Sequence, residues 1–200
     1  ETPLLGDHAF PPDWREAVDG LLGLSLPRNP GALYEGSAVE LLTGVVEQSP
    51  EKVQLVTLGP LTNVAEAIES HPELVDNLAG ITIMGGAVDA PGNVRASADV
   101  GNDLAEWNAY VDPHALAVVL GSGAPIALVP LDATRDVPVT SSFYKKLKRD
   151  RGTPAAEFVY RVLTQQEGKI RGGGYCFWDP FAAAVAVDGN EAALVELQPD

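Results

Sequence analysis

Hydrophobic positions recur along the chain at two alternating periods. In SAVELLTGVVEQ, Ala38, Leu41, Leu42, Val45 and Val46 share one helical face, and Ser37 stands where an N-cap belongs. KVQLVTLG is a short β-rich run that ends in Gly59 and predicts a buried strand. PLTNVAEAIESHPELV returns to helical spacing through Leu61, Val64, Ala65 and Ile68. GITIMGG predicts a second strand, closed by Gly85 and Gly86. DPHALAVVLGSG predicts a helix with Asp112 as N-cap, Pro113 in its first turn and Gly121 past its end. PIALVPLD predicts a third strand. SSFYKKLKRD and TPAAEFVYRVLTQQEG are amphipathic helices divided by Arg151-Gly152, and DPFAAAVAVDG repeats the Asp-Pro helix start at Asp179-Pro180.

Strands that alternate with helices imply βαβ units and a mostly parallel sheet. The fold class is therefore α/β, a mostly parallel sheet flanked by helices, in a single domain over residues 1–200. Ligands in such folds bind beyond the carboxyl ends of the strands. That directs attention to Leu58-Gly59-Pro60, Met84-Gly85-Gly86 and Leu131-Asp132.

Charge narrows the partners. The net charge of −15 argues against nucleic acid and anionic membrane surfaces, whose phosphates would be repelled. A neutral or cationic small molecule remains compatible. One cysteine, Cys176, permits no intrachain disulfide. No run of about 20 apolar residues predicts a membrane-spanning helix. A cytoplasmic location is the expectation. The chain opens on Glu1 rather than Met and closes on LVELQPD, which reads as a strand cut short, so both ends look like cuts through a longer protein.

Three segments could carry chemistry. The long stretch from Gly86 to Asp112 holds Asn93, Asp99, Asn102, Asp103, Glu106 and Asn108. Amides and carboxylates with no lysine among them suit hydroxyl groups or a hard cation, although a solvated loop has the same composition. GGGYCFWDPFAAA places Phe177 and Trp178 before Asp179. By spacing alone, Asp179 reads as an N-cap and Trp178 as core. GDHAFPPDWREA sets Trp14 between Asp13 and Arg15 in a Pro-rich segment expected to be irregular. His8, His71 and His114 have no ligand spacing.

The ordered set LVTLGPLTNVAEAI, ITIMGGAVDAPGNV, AEWNAYVDPHA, VPLDAT and WDPFAAAVA resembles the inosine–uridine-type nucleoside hydrolases, from about Phe10 to Asp188. The resemblance implies cleavage of the N-glycosidic bond of ribonucleosides to base and ribose, with Ca2+ holding the attacking water and ribose hydroxyls. It implies that Glu106, Asn108 and Asn93 bind ribose hydroxyls, with Asn102 as a substitute for Asn93, and that Met84 lines the sugar pocket. Leu58 would give calcium its backbone carbonyl, and Asp179 its carboxylate. Trp178 stands where many members have a histidine that protonates the leaving base. With Trp14 it resembles the tryptophan pair of purine-preferring members, which would sandwich the base. Stacking on indoles favours a protonated purine, so the base can leave without a dedicated acid. Inosine, guanosine or adenosine are therefore favoured over uridine. The resemblance also implies a homo-oligomer, a dimer or tetramer.

One departure is an absence. The family opens on an aspartate pattern, D-x-D-x-x-x-D-D, which supplies most calcium ligands and the base that activates water. This chain does not contain it, and Asp7 and Asp13 do not match it. The chain is expected to lack the N-terminal part of such an enzyme. The alternative is a catalytically incomplete module that holds nucleoside or a partner subunit.

Overall fold

The computed structural model describes residues 3–26, 31, 33–97 and 100–188. The chain runs α1 (Pro12–Asp19), α2 (Ala38–Gln48), β1 (Val53–Thr57), α3 (Thr62–Ser70), β2 (Leu78–Met84), α4 (Val94–Ser97), α5 (Trp107–Val111) and α6 (Pro113–Leu120). It continues through β3 (Ile126–Val129), α7 (Leu131–Thr134), α8 (Ser141–Arg149), α9 (Pro154–Gln165), α10 (Glu167–Arg171) and α11 (Trp178–Asp188). The chain divides into two compact units. Among the described residues, no helix is long and apolar enough to cross a membrane.

The first unit takes in residues 1–9, 32–133 and 178–200. Its three strands pair in parallel in the order β1-β2-β3, with Thr57 opposite Ile83 and Met84 opposite Val129. Alternation along β2 sends successive side chains to opposite faces. Ile81 and Ile83 join Val46, Leu61, Ala65, Ala115, Val119 and Leu128 in one core beneath α2, α3 and α6. Met84 points the other way and joins Val129, Leu131, Ala182 and Val185 beneath α11. The sheet is therefore covered on both faces, which explains why β2 reads as an almost unbroken apolar run.

Local chemistry sets the helix ends. Ser37 Oγ accepts from Glu40 N at 3.1 Å, and the Glu40 carboxylate accepts from Ser37 N at 2.7 Å, a reciprocal capping box that starts α2. Ser37→Ala is expected to lower stability by about 1 kcal/mol, read as a fall of a few degrees in Tm. The helix expected over PLTNVAEAIESHPELV stops at Ser70, because Pro72 has no N–H to continue it, and a 3-10 turn over Pro72–Asn77 leads into β2.

The second unit takes in residues 10–31 and 134–177. Val139, Tyr144, Leu163 and Ile170 form its core, and Tyr144 stacks on Tyr160 with centroids 5.6 Å apart. Here the Pro-rich segment expected to be irregular is helical. Pro12 occupies the first turn of α1, where its fixed φ suits the helix and its missing N–H removes nothing, and Trp14 N and Arg15 N both bond to Pro11 O.

Candidate active site

The carboxyl ends of the strands bring together most of the residues singled out in the sequence. A small, partly open depression lies there. Gly59 after β1, Met84, Gly85 and Gly86 at the end of β2 and Asn108 of α5 line it together with the apolar Leu61, Ile83, Ala109 and Leu116.

Glu106 organises this end of the sheet. It is only 3% exposed and caps α5. Its Oε2 accepts from Gly86 N at 3.0 Å, Asn108 N at 2.9 Å and Ala109 N at 3.2 Å. Oε1 takes part in none of these bonds. Burial raises the Glu106 carboxyl above its ordinary range, the three N–H donors pull it back, and the charge of Asp179 raises it further.

Asn108 is half-buried. Its Nδ2 donates to Met84 O at 3.0 Å and touches Met84 Sδ at 3.5 Å. A carbonyl can only accept, so this bond fixes which end of the amide is nitrogen. The Oδ1 then stands as an acceptor with no hydrogen bond described. Trp107 lies between these two polar residues in sequence but is buried, with its ring edge-on to Tyr110 at 5.6 Å. Glu106 and Asn108 thus share one helical turn in which the indole packs into protein.

The long stretch expected as a loop is stitched into a ladder. Gly92 N bonds to Asp103 O at 2.8 Å, Asn93 N to Ala105 O at 3.0 Å and Arg95 N to Asn102 O at 3.1 Å. The two backbones run so close that a Cβ on Gly92 would lie 2.3 Å from Ala105 O, so only glycine fits. Asn93 Oδ1 accepts from Trp107 N at 3.0 Å, so the side chain proposed for ribose also holds the start of α5. Asn102 Oδ1 accepts from Leu104 N and Ala105 N, a local turn.

Trp178 and Asp179 open α11. Phe177 N bonds to Val137 O at 3.0 Å, so the chain stays extended through Phe177. Helix therefore begins at Trp178, and Asp179 lies inside its first turn rather than at the cap. Trp178 is half-buried against the cluster containing Met84, Leu131 and Ala182. Asp179 is exposed, yet the protein around its carboxyl raises it above its ordinary value. Trp14 belongs to the second unit, half-buried on α1, with Lys169 Nζ 5.4 Å from its ring centroid.

The donor set for calcium is short. The ligands that the sequence leads one to expect are the Asp179 carboxylate and the backbone carbonyl of Leu58, which follows β1. Calcium takes six to eight oxygens. The described residues do not make a calcium site by themselves. Among them, the carboxylates and histidine close enough to share an ion are Glu47, His71 and Glu73, of which both glutamates are exposed. These lie at the end of α2 and between α3 and β2, at the amino ends of the strands, away from the depression.

Sequence reasoning pointed to Asp132 but gave it no role. Marked in the sequence only by its place after a strand, it accepts three backbone hydrogen bonds: Oδ2 from Val88 N at 2.9 Å, and Oδ1 from Asp89 N and Ala90 N at 2.8 Å each. Burial pushes its carboxyl up, but these N–H groups outweigh burial and hold it below the ordinary range. No local pattern marks such an anchor, because its partners are 42 to 44 residues away.

Comparison with known proteins identifies the family. The family described as inosine-uridine preferring nucleoside hydrolase matches residues 1–198. A pyrimidine-specific ribonucleoside hydrolase, RihA, of Salmonella paratyphi B is 39% identical over 144 residues, covering 72% of this chain and 43% of the relative. A purine-preferring ribonucleoside hydrolase from Gardnerella vaginalis superposes with a TM-score of 0.69 at 32% identity, over 86% of this chain and 53% of that one. An inosine-uridine preferring nucleoside hydrolase from Bacillus anthracis gives 0.79 at 25% identity, over 94% of this chain and 62% of that one. The chain thus spans about half the length of the proteins it matches. The chain belongs to the inosine-uridine preferring nucleoside hydrolase family.

Proposed function

We propose that this chain carries the ribose-holding half of a ribonucleoside hydrolase site, and that the whole protein hydrolyses the N-glycosidic bond of purine ribonucleosides. The observation that carries the reading is the orientation of Asn108. Its amide nitrogen is committed to Met84 O, which leaves Oδ1 as an acceptor at the depression. Glu106 Oε1 is a second acceptor on the same helical turn. Ribose hydroxyls are donors, and two acceptors at the mouth of a parallel sheet match them.

Purine preference rests on Trp178. Its indole, packed against the cluster that contains Met84, offers a stacking face but no group acidic enough to protonate a leaving base, which suits a base that leaves protonated. The Gardnerella relative, by its name purine-preferring, agrees with this. A pyrimidine substrate is the second reading, favoured by similarity to the pyrimidine-specific RihA enzymes. Asp179 and the Leu58 carbonyl would be two donors of a Ca2+ site whose remaining ligands lie outside the described residues.

Ribose release from inosine and from uridine, with and without added calcium, tests the reading. Faster release from inosine, lost in chelator, is expected. Preference for uridine would transfer the assignment to pyrimidines, and release from neither would leave a nucleoside-binding module. Asn108→Ala is expected to weaken ribonucleoside binding about tenfold, the size of one lost hydrogen bond in a partly buried site. Unchanged affinity would remove Asn108 from the site.

A further inference from the structure

The anchor formed by Asp132 has a role beyond the fold of its own turn. Val88, Asp89 and Ala90 present three consecutive N–H groups to one carboxylate, so the chain after β2 wraps around the first turn of α7. Leu131 N adds a bond to Gly86 O at 2.9 Å. The wrapped segment is not held by burial alone, since Val88 is 45% exposed and only Ala90 is seated in the core. The residues after this turn are tied down in their own right: Gly92 and Asn93 are laddered to Asp103 and Ala105, and Asn93 Oδ1 holds Trp107 N. Hydrogen-bonded backbone therefore links Asp132 to the turn bearing Glu106 and Asn108.

We propose that Asp132 is a positioning residue: by gripping the Val88–Ala90 turn over the end of β3, it sets where Asn93 and Asn108 meet the ribose. It touches neither sugar nor base. The inference rests on the ribonucleoside reading, because it presumes that Asn93 and Asn108 serve the sugar.

The test is a steady-state comparison of the full protein with Asp132→Ala and Asp132→Asn, read alongside amide hydrogen exchange. In Asp132→Ala, KM for inosine is expected to rise about tenfold or more, while kcat stays within about threefold. Asp132→Asn keeps one acceptor oxygen for two of the three N–H groups and is expected to recover most of the loss. Exchange is expected to quicken at residues 86–93 and also at 102–108. A residue that only stabilised its own turn would quicken the first segment, spare the second and leave KM alone, and that result overturns the proposal. So does an Asp132→Asn protein as impaired as Asp132→Ala. If Asp132→Ala fails to fold, hydrogen exchange in Asp132→Asn carries the comparison: quickening at both 86–93 and 102–108 supports the proposal, and quickening confined to 86–93 overturns it. Wild-type protein inert on every ribonucleoside would sink the functional reading instead. The positioning claim would then stand or fall on whether exchange at 102–108 responds to Asp132.

Discussion

Glu106→Ala is expected to destabilise the protein by roughly 3–4 kcal/mol, while Glu106→Gln stays within about 1 kcal/mol of wild type. Alanine leaves three backbone N–H groups, of Gly86, Asn108 and Ala109, with no acceptor in a site that water hardly reaches. Each orphaned donor costs about 1–3 kcal/mol, and partial access of water trims the sum. Glutamine presents an oxygen to the same three donors. It also removes a carboxylate that burial and the neighbouring Asp179 both disfavour. Function should separate from stability in this pair. Glutamine places an NH2 where Oε1, the proposed ribose acceptor, stands, and a hydroxyl donor cannot use it in the same way, so ribonucleoside binding is expected to weaken about tenfold in a protein that still melts normally. Thermal denaturation and a binding titration on both variants check this. An alanine variant as stable as the glutamine variant would show that the three N–H groups find other partners.

Asp112→Ala is expected to cost about 3 kcal/mol, and the wild-type residue to make stability depend on pH in the acid range. The side chain is fully buried and joins three parts of the first unit. Its Oδ1 caps α6 through Ala115 N at 2.9 Å, and its Oδ2 accepts from Thr62 Oγ1 at 2.7 Å and from Leu4 N at 2.8 Å. Burial works against the ionised form, but the Thr62 hydroxyl and the Ala115 and Leu4 amides outweigh it, so the folded pKa lies below the ordinary one. A depressed carboxylate pKa contributes its full stability above the unfolded value of about 4. That contribution is lost as pH falls from there through the lower folded value. Urea midpoints of wild type should therefore fall below about pH 4, and those of Asp112→Asn should fall less over the same interval. Equal slopes for the two proteins would place the acid sensitivity elsewhere.

What could be read in the sequence was what repeats. β1, β2, β3, α2, α6 and α11 announce themselves through period two or period 3.6, and Asp112-Pro113 marks a helix start by a rule that holds locally. α5 does not announce itself. It is five residues long, and its cap is Glu106 rather than one of the short polar residues that usually fill that position. The ladder between residues 92–95 and 102–105 is backbone to backbone, so its only side-chain trace is the absence of one, at Gly92. α1 was hidden by its own prolines, which read as a break but sit where a helix begins. Among the candidate residues, Glu106 and Asn108 were visible through the family resemblance, whereas Asp132 answers to a turn far away in sequence. Periodicity reports which face is buried. It does not report which distant amide a carboxylate will find.

The parallel order β1-β2-β3 has a kinetic consequence. Every strand pairing in this sheet spans a crossover, so none can be nucleated by a hairpin, and each must close a long loop before it is rewarded. The first unit should accordingly fold slowly for its size. The depression exists only where the ends of β1 and β2, α5 and α6 are all in place, so it forms last. Recovery of nucleoside binding during refolding should then lag behind recovery of helical signal, and the lag would measure the time the chain spends with its helices formed and its sheet unfinished.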